Sequence, residues 1–330
     1  MRILTGQEIF NNDLKGSVIT IGNFDGVHRG HLEIFRRLRL EGERLGLPAV
    51  AVTFEPHPLA VLSHENAPAL ITTFEQKASL IAQAGIDCLA VIEFTPEFSL
   101  MEAEAFVRDI LWAGLGMRHI IIGHDYAFGR GRRGNYETLA RLGAECGFTL
   151  EDLDPVKEGA TIFSSSLARR LISGGDMPAA AAVLGRYHVV SGRVVHGREI
   201  GQKLGFPTAN IETPNELIPP DGVYAVMVAV GDALLQGACN IGSNPTFAGG
   251  VRTVEVFLLD FSEQLYDREI ALCFVQRLRG EKKFPDSKAL IKAIEHDVAA
   301  TRTILAAADR EMVRPLFTQT TFKLTTPNPS

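Results

Sequence analysis

From Ser17 to Leu153, short β-branched and aliphatic runs alternate with amphipathic stretches of helical period, and beyond Gly185 the alternation stops. Ser17–Ile21, Ala49–Phe54, Cys88–Phe94, His119–Ile122 and a stretch near Phe148–Leu153 read as strands. Between them, Leu32 with Phe35, Leu38 and Leu40, then Thr73–Ala84, Glu102–Ala113 and Asn135–Cys146, read as helices. Strand and helix in strict turn predict an α/β domain whose parallel sheet is covered on both faces. The nearly continuous apolar run at Ala49–Phe54 suits such a buried strand. Residues 1–15 offer only a short helix.

Ser173-Gly174-Gly175-Asp176-Met177-Pro178 breaks the pattern, an Ala-rich helix runs to Leu184, and the domain boundary is expected near Gly185. Thereafter Val189-Val190, Val194-Val195, Val223–Val230, Leu234–Asn240, Val254–Leu259 and Ile270–Leu278 read as strands with no helices between them. With Gly231-Asp232-Ala233 as a hairpin turn, they predict an antiparallel β-barrel. Pro285 and Asp286 open one long amphipathic helix whose Leu290, Ile291, Ile294, Val298 and Ile304 should pack on the barrel. The expected division is 1–185, 186–308 and a mobile tail, 309–330.

A chain of 330 residues has room for two domains, and its composition is that of a globular protein. A net charge of −6 argues against a general nucleic-acid binder, so Arg130, Arg132 and Arg133 read as a local anion site or a solvated loop. The four cysteines are scattered without a C-x-x-C pair and no secretory leader is evident, so a reducing cytoplasm is expected. No apolar run approaches the ~20 residues of a membrane span. The expected partners are small-molecule substrates, with no nucleic acid, no membrane, and a monomer or weak homo-oligomer.

The first strand runs into Gly22-Asn23-Phe24-Asp25-Gly26-Val27-His28-Arg29-Gly30-His31. A strand ending in a Gly-rich turn that opens a helix is the layout of a phosphate site, with backbone N–H groups and the helix dipole facing the anion. Gly22, Gly26 and Gly30 let backbone and ligand approach closely. His28 and His31, three apart, share a helix face and can donate to one polyphosphate. A surface histidine pair and a zinc site are the other readings, but zinc finds no third and fourth ligand at a convincing spacing.

Further polar loops follow the later strands: Glu55-Pro56-His57-Pro58, Thr95-Pro96-Glu97 and Gly123-His124-Asp125-Tyr126-Ala127-Phe128-Gly129. Ligands of such sheets sit beyond the carboxyl ends of the strands, so these loops should converge on one site. Asp125 offers an acceptor and Phe128 a face for a flat ring, or the loop's aromatics simply anchor it in the core. Ser164-Ser165-Ser166 caps a helix start from which Arg169 can reach a phosphate, or remains solvated.

Gly22–His31 resembles the G-x-F-D-x-x-H-x-G-H signature of HxGH nucleotidyltransferases, and more narrowly of bacterial bifunctional riboflavin kinase/FAD synthetases. Gly123–Gly129 is similar to that family's G-x-D/N-F-x-F-G, with Tyr126 where Phe is usual, and Ser164–Arg169 to its S-S-[ST]-x-x-R. In the second half Gly201–Asn210 resembles G-x-x-L-G-x-P-T-A-N, Asn240–Phe247 resembles N-I-G-x-x-P-T-F, with Asn244 where Arg is frequent, and Arg279–Phe284 resembles R-x-E-x-x-F. The resemblance runs from about Ser17 to Ala300 in the family's motif order.

It implies a Rossmann-like nucleotidyltransferase domain followed by a riboflavin-kinase barrel, making FMN from riboflavin and then FAD from FMN, with ATP and Mg²⁺. In the first domain it implies ATP contacts from Gly22, Asn23, Phe24, Asp25, His28, Gly30, His31, Ser164, Ser166 and Arg169, and FMN contacts from His57, Asp125, Phe128 and Gly129. In the second it implies ATP phosphates at Gly197, Gly201, Gly205, Pro207, Thr208 and Asn210, with Thr208 and Asn210 facing Mg²⁺. Flavin would meet Asn240, Glu255 and Arg279, with Glu255 as general base for a primary alcohol. Without the resemblance the commoner reading of Glu255 is an outward-facing strand residue. A single-activity enzyme with one decayed site and a non-catalytic flavin-binding regulator are the alternatives.

Overall fold

A computed structural model describes residues 1–123, 126–197, 201, 204–243, 252–314 and 316. The chain forms two compact units, one of Met1–Ala69 and Lys77–Phe163, the other of Leu70–Gln76 and the described residues from Ser164 onward.

The first unit is a six-stranded parallel sheet of β1 (Arg2–Thr5), β2 (Ser17–Ile21), β3 (Ala49–Glu55), β4 (Cys88–Glu93), β5 (Met117–Gly123) and β6 (Thr149–Leu153), in the order β1-β4-β3-β2-β5-β6. All five residues of β2 are buried. The chain steps from β2 to β3 on one side and returns to β5 on the other. The carboxyl ends of β2 and β5 therefore form the topological switch point where such sheets bind ligands.

Helix α1 (Arg29–Leu45) buries Phe35 and Leu38 and ends at Gly46 in the left-handed conformation. Helices α2 (Pro58–Leu62), α3 (Phe74–Gln83) and α5 (Tyr136–Cys146) match or extend the expected layout. The helix expected at Glu102–Ala113 is α-helical only over α4 (Ala103–Ala105) and continues as a π-helix, Phe106–Gly114. The N-terminal expectation needs correction: a 3₁₀ turn is present at Gly6–Ile9, but β1 precedes it and pairs with β4. Only Leu4 of β1 is fully buried, too little periodicity to mark a strand. A two-residue ladder, β7 (Lys157–Glu158) with β8 (Thr161–Ile162), follows β6.

In the second unit, α6 (Ser165–Gly174) and α7 (Met177–Leu184) precede a closed barrel. Its strands are β9 (His188–Val195), β10 (Thr208–Glu212), β11 (Gly222–Val230), β12 (Ala233–Ser243), β13 (Arg252–Leu258) and β14 (Glu269–Arg279). They close in the order β10-β13-β12-β11-β14-β9, all antiparallel. Val189-Val190 and Val194-Val195 belong to one strand, and Gly231, at φ 58°, turns the two-residue hairpin. Tyr224, Cys239, Ile241, Val254, Val256 and Phe274 fill the interior.

Helix α8 (Ser287–Ala306) starts where expected: Asp286 caps it by accepting from the Ala289 N–H at 2.8 Å. Its packed side is the expected face, with polar residues among those buried deepest. Asp297, Thr301 and Leu305 are its buried residues, while Leu290, Ile291, Ile294, Val298 and Ile304 are half-buried. The expected tail also needs correction: Arg310–Met312 forms a 3₁₀ turn, Val313 and Leu316 are buried, and the Tyr187 N–H donates to Met312 O. Two apolar side chains supply the anchorage that composition did not suggest. Residues 315 and 317–330 lie outside the described set.

Two outcomes follow. At Gly129, φ is 70° and an added Cβ would lie 2.6 Å from Ala103 Cα. Gly129→Ala should cost about 2 kcal/mol or more in urea unfolding. His188 is buried, donates Nε2–H to Leu217 O at 3.1 Å, and burial pushes its pKa down to about 4. The unfolded chain then binds the proton first, so stability is unaffected above pH ~6.5, falls by about 3 kcal/mol toward pH 4 and is flat below. His188→Gln, compared with wild type across that range, should flatten this component.

Candidate functional site

Beyond β2, the spacing of the Gly22–His31 signature is set by packing. Phe24, at φ 50°, turns its ring back over Gly22, where an added Cβ would lie 2.8 Å from the ring. Phe24 is 2 % exposed and Val27, at φ 38°, is fully buried, so apolar burial holds two non-glycine residues in a costly backbone region. The edge of Phe24 meets the His31 ring at 5.2 Å between centroids.

His28 is the N-cap of α1: its Nδ1 accepts from the Gly30 N–H at 3.1 Å. In the neutral ring the proton is therefore on Nε2, which is a donor. A Cβ on Gly30 would lie 2.9 Å from that ring. The three-residue spacing stacks His28 on His31, 3.7 Å between centroids and 25° apart in plane. Two imidazoles at a helix N-terminus form a compact donor pair for an anion. Arg29 bonds Glu158 at 2.7 Å and lies 4.5 Å over the Phe163 ring.

The β3 loop joins the same group. His57 caps α2, its Nδ1 accepting from the Leu59 N–H at 3.2 Å, so its Nε2 also carries the proton. The Asn23 amide lies 3.1 Å from that Nε2. The amide atom nearest that ring is Nδ2. Thr53 Oγ1 donates to Asn23 O at 3.3 Å and lies 3.4 Å from Lys77 Nζ, which also reaches Glu55 Oε2 at 3.3 Å. Sequence reasoning missed Thr53 and Lys77. Lys77 stands four before Ile81 on a buried face of α3, where a lysine is unusual, and that was the available signal.

Asp25 is buried beside this group. Asp125 and His124 lie outside the described residues. Phe128 is 5 % exposed in the core, its ring against Phe106 and parallel to Tyr126, and so anchors its loop. Ser164, Ser166 and Arg169 begin α6 in the other unit: Ser164 Oγ accepts from the Leu167 N–H, Ser166 is exposed and Arg169 half-buried.

On the barrel, cross-strand register builds the second group. Asn210 on β10 stands opposite Glu255 on β13, and Glu255 opposite Asn240 on β12. Directly paired residues stand side by side on one face, and the interior positions are taken by Cys239, Ile241, Val254 and Val256. The polar row therefore faces outward. Thr208 Oγ1 donates to Glu255 Oε2 at 3.4 Å. Gly197 passes so close to Asn210 that an added Cβ would lie 2.0 Å from its amide, and at Gly201 one would lie 2.3 Å from Phe206 O. The Gly201 carbonyl accepts from the Leu204 and Phe206 N–H groups, closing a turn into Gly205 and Pro207. Asn244 lies outside the described residues.

Arg279 does not present a free guanidinium. Its Nε lies 3.1 and 3.0 Å from the two Asp297 carboxylate oxygens, and Nη2 donates at 2.8 Å. Among the described residues no cluster of three or more His, Cys, Asp or Glu side chains is placed to hold a metal. The available oxygens at Thr208, Asn210 and Glu255 are hard donors that suit Mg²⁺ with a phosphate ligand. No helix among the described residues is long and apolar enough to cross a membrane.

Family models for FAD synthetase and riboflavin kinase match residues 10–167 and 184–305. A bifunctional riboflavin kinase/FMN adenylyltransferase of Escherichia coli K12 is 37% identical over 289 residues, 87% of this chain and 92% of that protein. Its counterpart from Pseudomonas fluorescens is 39% identical over 307 residues, 93% and 98% of the two chains. A crystal structure described as a macrolide-efflux protein of Streptococcus pneumoniae is similar at TM-score 0.84 and 27% identity, covering 92% of this chain and 99% of that one. The chain belongs to the family of bifunctional riboflavin kinase/FMN adenylyltransferases.

Proposed function

We infer that the chain makes FAD from riboflavin in two ATP-dependent steps, residues 186–308 carrying the kinase and residues 1–185 the adenylyl transfer. The observation that carries the chemistry is the Asn210–Glu255–Asn240 row, a carboxylate set between two amides and reached by the Thr208 hydroxyl.

In the kinase step the 5′-hydroxyl oxygen of riboflavin bonds to the γ-phosphorus of ATP, the bond to the bridging oxygen breaks, and ADP leaves. Glu255 takes the hydroxyl proton. Asn240 beside it orients the flavin chain, and Gly197, Gly201 and Gly205 let phosphates approach the backbone. Thr208 and Asn210 would hold Mg²⁺, which would neutralise charge on the phosphates.

In the second step an FMN phosphate oxygen bonds to the α-phosphorus of another ATP and pyrophosphate leaves. That nucleophile is already anionic at neutral pH and needs no base. His28 and His31 donate to the phosphates, with Asn23 beside them in the same turn. His57 and the Asp125–Gly129 loop, with Phe128 as its anchor, receive the flavin. The partners on this reading are the small-molecule substrates riboflavin, FMN and ATP.

Chromatography of riboflavin with ATP and Mg²⁺ tests the reading. Wild type should yield FAD, and a chelator should stop phosphorylation. Glu255→Ala should slow riboflavin phosphorylation by about 10²–10⁴-fold while supplied FMN still becomes FAD. His28→Ala/His31→Ala should stop at FMN, with adenylylation down by about 10²-fold or more. Wild type yielding neither FMN nor FAD would overturn the assignment.

A further inference from the structure

The face of α8 turned to the barrel carries an aspartate where an apolar residue would be expected. Asp297 is 5 % exposed and takes all three short contacts from Arg279, the last residue of β14. A buried ion pair is a poor stabiliser compared with apolar residues of the same volume, so its presence points to geometry.

The surrounding contacts show what that geometry holds. Arg279 lies at the head of the Gly280–Phe284 connection into α8; its Nη1 donates to Gly280 O at 3.1 Å and its guanidinium sits 5.5 Å over the Phe284 ring. Glu281 Oε1 lies 3.1 Å from where a Cβ of Gly242 would be, so the connection lies against the end of β12. Two residues back along β12 stands Asn240, paired with Glu255. One guanidinium thus fixes both ends of the connection and joins them to the middle of α8.

We propose that Asp297 is a positioning residue of the kinase site. By clamping Arg279 it holds the Gly280–Phe284 connection beside Asn240 and Glu255, and so sets flavin affinity without touching the transferred phosphate. This rests on the kinase reading above.

The test uses the full chain with two variants, Asp297→Asn and the apolar replacement Arg279→Met/Asp297→Leu. Thermal unfolding, riboflavin KM and kcat, and conversion of supplied FMN to FAD are measured for each. Asp297→Asn should raise the riboflavin KM about tenfold with kcat within about twofold, leaving FMN adenylylation unchanged. The apolar pair should recover the unfolding midpoint but not the KM. A wild-type KM in either stably folded variant would overturn the proposal and leave the ion pair a stabilising contact. Should Asp297→Asn fail to fold, the apolar pair decides alone. Failure of wild type to phosphorylate riboflavin would instead sink the kinase reading.

Discussion

Strand β2 has no wet side. With β3 and β5 beside it, every residue from Ser17 to Ile21 is buried, and the only polar side chains it carries are the small hydroxyls of Ser17 and Thr20. The polar chemistry is therefore concentrated in the turn beyond Ile21. The turn must reverse direction while staying packed, and it does so with Phe24 and Val27 at positive φ, both held by burial. Gly22 clears the Phe24 ring and Gly30 clears the His28 ring. What reads in sequence as a phosphate signature is first a solution to packing. The donor pair His28 and His31 is its outward result.

The barrel answers a different constraint. Its strands alternate between interior and exterior, so functional groups can stand on the strands themselves. Register brings Asn210, Glu255 and Asn240 together from three strands far apart in sequence. Ladder hydrogen bonds run on both sides of Glu255, which gives it a firmer mount than a loop would. The two units thus mount their polar groups differently: imidazoles in a turn beyond a buried strand, and a carboxylate on the outer face of a barrel strand.

Period and order were legible in the residues. The βα alternation, the change of grammar at Gly185, the start of α8 at Asp286 and the outward setting of Glu255 follow from local pattern. The features that escaped depend on distant partners. β1 is a strand because β4 offers an edge. Asp297 is buried within the apolar face of α8 because Arg279 reaches it. Lys77 and Thr53 support Asn23 across segments that no local spacing relates. The residues next to His31 and Glu255 could be named from motifs, whereas those that hold them in place could not.

The barrel closes with β9 bonded to both β10 and β14, so its six strands present no edge. An open sheet that carried polar chemistry on its outer face would also expose a row of unpaired N–H and C=O groups, a template for another chain. Closure separates these properties. The outer wall can be polar and glycine-rich while the ladder closes on itself, so the unit can display a polar surface without an open sheet edge.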